Sequence, residues 1–211
     1  MARPRKYDDV ALLDRAMETF WSHGYAGTSI RDLAGRTGVN HASLYAAFPD
    51  KHALFIAGIR RYLDQVVANH IRNLLAVEPA GEAVRQMFLG LVEAPIEKLR
   101  RGCLLTNSAA EFGLDDPQVA ALVRKAYGQV ESALTERLIE TQAAGHLADG
   151  TQPKALARLL LTVLQGVRVM ARVGTQREIM KDAVNCALAA IKTDGSRSAG
   201  IRVRQRRRPR D

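Results

Sequence analysis

The amino-acid sequence predicts an all-α protein of two domains followed by a basic tail. Three observations carry that prediction. Apolar residues recur at the i, i+3, i+4 spacing of a helix along almost the whole chain. Alternating apolar–polar runs and Asn-Gly hairpin turns, the marks of strands, are missing. Glycine, proline and capping residues cut the helical pattern into segments of ordinary helix length. The expected boundaries are 1–52 for an N-terminal three-helix unit, 53–193 for a larger helical domain and 194–211 for the tail.

The first helix begins at Asp8 or Asp9 and places Val10, Leu13, Met17 and Phe20 on one face. Thr28 and Ser29 are capping types directly before Ile30, and Ile30, Leu33 and Ala34 form a buried stripe. Gly38 can take the left-handed conformation that ends a helix. The third helix runs from Asn40 to Tyr45. Val39, Ala42 and Leu44 are apolar there, while Asn40, His41, Ser43 and Tyr45 are polar and point elsewhere. About two turns of helix are not stable alone, so this segment must lean on its neighbours. Such a pair, with a polar face left over on the second helix, is the logic of a helix-turn-helix that enters the DNA major groove.

Phe48-Pro49-Asp50 is a break, and Asp50 caps a long helix carrying Leu54, Phe55, Leu63, Val67 and Leu74 inward. That helix ends by Glu78-Pro79, because the residue before proline disfavours helix. The next runs from Gly81 to Leu99 with Val84, Met87, Phe88 and Leu91 on its stripe, and Pro95 should kink or shorten it. Arg100, Arg101 and Gly102 make a turn. The short helix CLLTNSAAEF then ends at Gly113. Asp116-Pro117 caps a helix that extends to Ala144, where Gly145 stops it. Pro153 opens a helix reaching Gly174. It is apolar over Leu156, Leu159, Leu160, Val163, Leu164, Val167 and Met170, more than one face. Thr175 and Glu178 read as a capping box for the last helix, which carries Ile179, Val184, Leu188 and Ile191.

Composition removes several classes of function. No run of about 18 apolar residues occurs, so no transmembrane helix is expected. The start MARPRKYDD has no apolar segment behind its basic residues and is not a secretory signal. Cys103 and Cys186 are too few for a disulfide framework, which points to a reduced, cytoplasmic protein. The five histidines show no metal-ligand spacing. No nucleophile elbow, phosphate-binding glycine loop or Cys-x-x-Cys is present. No catalytic residue, metal or cofactor is therefore expected. The net charge is +9, and between Asp194 and Asp211 seven arginines face two aspartates. With Arg3, Arg5 and Lys6 at the other end, these segments suit arms that meet phosphate; a solubilising terminus is the alternative.

From Leu12 to Phe55 the chain resembles the TetR family of bacterial transcriptional repressors. The resemblance rests on Phe20, Gly24 and Tyr25, on Thr28-Ser29-Ile30, on Asp32-Leu33-Ala34, and on Gly38-Val39 through Ser43-Leu44-Tyr45, Phe48 and Lys51. Two positions depart from the pattern. Asn40 stands where serine is common and can still cap a helix. Ala46 stands where a large polar residue is common, which moves base reading toward His41 and Ala42. On this reading Asn40 and His41 face base edges, and Ser43 and Tyr45 suit phosphate oxygens. Thr28 offers its hydroxyl and amide to a phosphate, Lys51 adds a point charge, and Arg31 and Arg36 add backbone contacts.

The resemblance implies a repressor that binds a palindromic double-stranded DNA operator as a homodimer. It also implies that the last two long helices pair into a four-helix bundle and that a small-molecule effector, of unknown identity, releases the operator. No membrane partner is expected. Cys103, Asn107 and Glu111 fall on one helical stripe, at i, i+4 and i+8. They are candidates to line an effector pocket, with Tyr127, Arg168, Met87, Phe88 and Leu91 as further walls. Cys103 has two readings: a sensor thiol activated by Arg100 or Arg101, or a small core residue. Two rivals from other classes remain: a protein that coats nucleic acid through its arginines, and a helical enzyme acting on a small apolar molecule.

Overall fold

The computed structural model describes residues 9–192; the N-terminal basic residues and the arginine tail lie outside them. Eleven α-helices are found among the described residues: α1 (Asp9–His23), α2 (Ile30–Thr37), α3 (His41–Ala47), α4 (Lys51–Tyr62), α5 (Ala68–Ala76), α6 (Ala80–Glu93), α7 (Ile96–Arg101), α8 (Leu104–Phe112), α9 (Pro117–Ala143), α10 (Pro153–Arg172) and α11 (Arg177–Leu188). No strand occurs among those residues. An isolated antiparallel bridge joins Leu147 to Ile191 and ties the loop after α9 to the end of α11. The all-α expectation therefore holds.

α4 and α5 are one rod interrupted by a π-helical turn, Leu63–Val67. A π turn carries more residues per turn than an α turn, so it rotates the buried face. Before and within it, Leu54, Phe55, Ile59, Tyr62, Leu63 and Val67 pack into a first core with α1, α2 and α3. Beyond it, Leu74 packs into a second core built from α6, α9, α10 and α11. The first core does not stop at the end of the three-helix unit. Cys103, Leu104 and Leu105 around the start of α8, and Val119, Val123 and Ala126 from the first half of α9, belong to it.

Several local expectations need amendment. The α1 stripe is Leu12, Ala16, Met17 and Phe20; Val10 lies half exposed, one turn away from it. Pro95 splits the Gly81–Leu99 helix outright: α6 ends at Glu93 and α7 starts after the break, with Arg100 and Arg101 in its last turn and Gly102 ending it at φ +71°. α11 has no capping box. Gln176 is its N-cap and no side chain bonds the first turn, because Thr175 belongs to the α10 terminus, where its amide donates to the Met170 carbonyl. Ile179 is half exposed rather than inward. By contrast, Asn40, Asp50 and Asp116 cap α3, α4 and α9 as their positions predict.

Candidate nucleic-acid interface

The three-helix unit is fixed by hydrogen bonds that the sequence places on short polar side chains. Gly24, at φ +74°, ends α1. Thr28 is buried after it, its hydroxyl donating to the Gly24 carbonyl at 2.6 Å and its amide to the Tyr25 carbonyl. Ser29 and Asp32 form a capping box on α2: Asp32 N–H donates to Ser29 Oγ at 3.1 Å, and Ser29 N–H donates to Asp32 Oδ2 at 2.9 Å. The Ser29 hydroxyl and amide hold the Asp32 carboxyl below its ordinary range. Arg15 Nη1 caps the far end of α2 through the Thr37 carbonyl at 3.0 Å, and Gly38 turns left-handed at φ +72°. Asn40 Oδ1 then accepts from Ser43 N–H at 2.8 Å and starts α3.

α3 is anchored by one fully buried side chain, Leu44, whose burial stabilises by about 1.5–3 kcal/mol. The opposite face is free for contact. His41, Ala42, Tyr45 and Ala46 are exposed, at i, i+1, i+4 and i+5, and Tyr45 keeps 52 % of its surface open. Arg31 is exposed on the first turn of α2, whose N-terminus carries the positive end of the helix dipole. Arg36 Nη2 lies 3.2 Å from His23 Nε2. His23 Nδ1 lies 3.0 Å from the Thr19 carbonyl, so Nδ1 carries the proton and Nε2 accepts.

Three expected DNA contacts are redefined by this geometry. Thr28 is spent inside the turn, since both its hydroxyl and its amide already donate to backbone carbonyls; it shapes the approach to α2 and offers nothing outward. Asn40 uses its carbonyl oxygen as the α3 cap, which leaves its amide nitrogen end for a base or phosphate. Lys51 Nζ donates to the Tyr25 and Thr28 carbonyls, each at 3.1 Å, and sits 4.0 Å from the Tyr25 ring centroid. It fastens the start of α4 to the α1–α2 turn.

The larger domain grips this unit at several points. Glu111, on α8, accepts from Tyr25 N–H at 3.0 Å and Ala26 N–H at 2.6 Å. Trp21 Nε1 donates to the Gly102 carbonyl at 3.1 Å, and Arg101 stacks over the Trp21 ring while pairing with Glu18. His52 contacts Asp116, the cap of α9, at 2.5 Å, and Arg61 pairs with Asp14 at 2.7 Å. Sequence reasoning missed Trp21 and Arg101. The available signal was a tryptophan adjacent to Phe20 but off the α1 core stripe, which asks for a second packing partner.

The expected effector stripe is dispersed by the fold. Glu111 is exposed and committed to the Tyr25–Ala26 amides. Asn107 Nδ2 donates to the Arg101 carbonyl at 3.3 Å and braces the Gly102 turn. Cys103 is the N-cap residue of α8, buried in the first core, where it accepts from the Tyr62 hydroxyl at 3.4 Å. Burial pushes its thiol up, but the nearby Arg168 charge and hydrogen bonds with Tyr62 and Thr106 outweigh that and bring it below its ordinary value; Arg100 and Arg101 are not the cause. Burial raises the half-buried Tyr127 phenol, and Phe88 is fully buried in the second core. Of the expected walls, Met87, Leu91 and Arg168 do line open space. One cavity of about 410 Å³ lies against α5, α6 and α10, and another of about 340 Å³ reaches Trp21; both are lined by His70, Leu91, Ala94 and Arg168. A wider cleft of about 1060 Å³ between the α4–α5 rod and α9 carries charges of both signs. No cluster suited to a metal ion and no helix long and apolar enough to cross a membrane occur among the described residues.

Comparison with known proteins places this geometry. Residues 12–57 match the family described as bacterial regulatory proteins, tetR family, and residues 82–187 match the tetracyclin repressor-like C-terminal domain. The HTH-type transcriptional repressor ComR of Escherichia coli (strain K12) is 33% identical over 83% of this chain and 85% of its own. The uncharacterized HTH-type regulator YezE of Bacillus subtilis (strain 168) is 31% identical over 90% of this chain and 100% of its own. Among solved structures, a cysteine mutant of the TetR family transcriptional regulator CifR, complexed with 26 bp double-strand operator DNA, superposes with a TM-score of 0.74. It is 31% identical and covers 90% of this chain and all of its own.

Proposed function

Because the chain belongs to the TetR family, we propose that it is a sequence-specific DNA-binding transcriptional regulator that represses from a palindromic operator and is released by a small-molecule effector. The observation that carries this reading is the exposed face of α3, held at a fixed angle by Leu44, the Asn40 cap and the Arg15 and Lys51 fastenings. His41 and Ala42 read base edges. Tyr45, Ser43 and the Asn40 amide nitrogen meet the phosphate backbone or groove wall, and Arg31 with the dipole of α2 meets phosphate. Such a protein acts in the cytoplasm, where the chromosome is, and catalyses nothing.

A palindrome demands two copies. α10 supplies the surface: one side buries Leu156, Leu160, Leu164 and Val167 within the protomer, while Leu159, Val169 and Val173 are exposed on the other. Ile179 adds an exposed apolar edge on α11. Pairing these faces about a twofold axis buries them and fixes the spacing of the two α3 helices. An effector releases DNA by binding one spacing better than the other; equal affinity would shift nothing.

Selection of bound duplexes from a random library tests the reading. An enriched inverted repeat bound by two protomers is the expected result. Enrichment of no sequence, with affinity set only by salt, would favour the nucleic-acid-coating rival.

A further inference from the structure

The two cavities that meet at Arg168 carry a chemical signature. Their linings include Arg168, Arg101 and Lys98, and no aspartate or glutamate. The Arg168 guanidinium makes no hydrogen bond or ion pair among the described residues, although it is partly buried beside Tyr62, Leu91 and Leu164. Arg101 pairs with Glu18 on its outer side, yet its Nε is buried and has no hydrogen-bond partner. An organic anion entering the cavity could form a bidentate pair with the Arg168 guanidinium, at a wall that holds no carboxylate of its own. The remaining walls, Met87, Leu91, Leu164, Val66 and Trp21, are apolar or aromatic. Volumes of about 410 and 340 Å³ lie in the range of small-molecule pockets, about 300–1,000 Å³.

We propose that the effector is an amphipathic carboxylate whose head group pairs with Arg168 and whose apolar body fills the adjoining cavities up to Trp21. This rests on the effector-release reading and specifies its ligand. The path to DNA is short. The cavity lobe at Trp21 also holds Arg101 and Gly102, and Trp21 lies on α1, within the three-helix unit. An apolar body near Trp21 competes with the Trp21–Gly102 hydrogen bond and the Arg101 stack. That competition loosens the grip of α7 and α8 on α1.

Trp21 is the single tryptophan of the chain, so its fluorescence reports binding directly. The full-length protein is titrated with octanoate and phenylacetate and, as neutral matches, octanamide and phenylacetamide. Operator release is followed in parallel on a selected duplex. At least one carboxylate should bind about tenfold tighter than its amide, the scale of one charge-assisted hydrogen bond. Arg168→Met should erase that preference, and Arg168→Lys should keep part of it. Equal affinity within both pairs in the wild type would overturn the proposal, whatever the variants do. A carboxylate preference that survives in Arg168→Met would overturn it too. Binding with the predicted preference but no release of DNA would support the cavity chemistry and refute the release reading instead.

Discussion

The Glu111 clamp permits a quantitative prediction. Its two carboxylate oxygens accept the Tyr25 and Ala26 amides from 86 and 85 residues away in sequence. Nothing else among the described hydrogen bonds joins α8 to the α1–α2 turn. A hydrogen bond to a charged group contributes about 1.5–3 kcal/mol when shielded. Glu111 is exposed, so the pair together should contribute about 1–2 kcal/mol. Glu111→Ala should lower the Tm by roughly 2–8 °C, since each kcal/mol is worth about 2–4 °C in a protein of this size. Glu111→Gln keeps one acceptor oxygen without the charge and should lose about half as much. Gly24→Ala offers an independent handle on the clamp: at φ +74° an alanine costs about 1–2 kcal/mol, and its Cβ would sit 3.2 Å from Glu111 Oε2. Differential scanning calorimetry with amide hydrogen exchange is the assay, and Tyr25 and Ala26 should lose protection first. An unchanged Tm together with unchanged exchange at those two amides in Glu111→Ala would refute the clamp as a coupling element.

Three further outcomes follow from the same geometry. Val169→Glu should convert the dimer to monomers in sedimentation velocity and abolish operator binding, while helical content stays native; a variant that remains dimeric would move the interface off α10. In native protein, exposed Cys186 should be labelled by a thiol reagent well before Cys103, because access limits the buried thiol despite its lowered pKa; faster labelling of Cys103, timed by peptide mass spectrometry, would revive the sensor reading. Asp14 is held below the ordinary carboxylate range by its hydrogen bond from Arg61. Its pair therefore stabilises at neutral pH and the contribution is lost as pH falls through the depressed value. Being partly exposed, it should be worth under about 1 kcal/mol, and the Tm gap between wild type and Asp14→Asn should close as pH falls below the ordinary carboxylate range. A gap that widens on acidification would contradict the pairing.

Local chemistry was legible in the sequence and long-range chemistry was not. Asn40, Asp50 and Asp116 each precede an apolar stripe, and each caps the helix that its position announces. Pro95 and Gly38 break helices because their backbone limits act wherever they stand. The α10 pattern, apolar on more than one face, corresponds to one side buried within the protomer and a second left exposed. Cys103, Asn107 and Glu111 show the opposite case. Their spacing suggested one wall of a pocket, but the groups that claim them, Tyr62, the Arg101 carbonyl and the Tyr25–Ala26 amides, lie on other elements. Thr28 and Lys51 have residue types suited to phosphate, and the turn between α1 and α2 takes up their donors first. The π turn after Tyr62 leaves no compositional mark, since Leu63 to Val67 read as ordinary helix. The expected boundary after residue 52 likewise ignores that Cys103, Leu104 and Leu105, with Val119, Val123 and Ala126, pack into the first core.

The reading of α3 is tested most directly by the ratio of affinities for a selected operator and a scrambled duplex, measured by fluorescence anisotropy at one fixed salt concentration. His41→Ala should lower that ratio by about tenfold, the scale of one lost base contact at about 1–3 kcal/mol, while affinity for the scrambled duplex hardly changes. Tyr45→Phe, which removes a phosphate-facing hydroxyl, should weaken both duplexes alike and leave the ratio intact. A ratio that is unchanged in His41→Ala, with both affinities falling together, would contradict the assignment of base reading to the exposed face of α3.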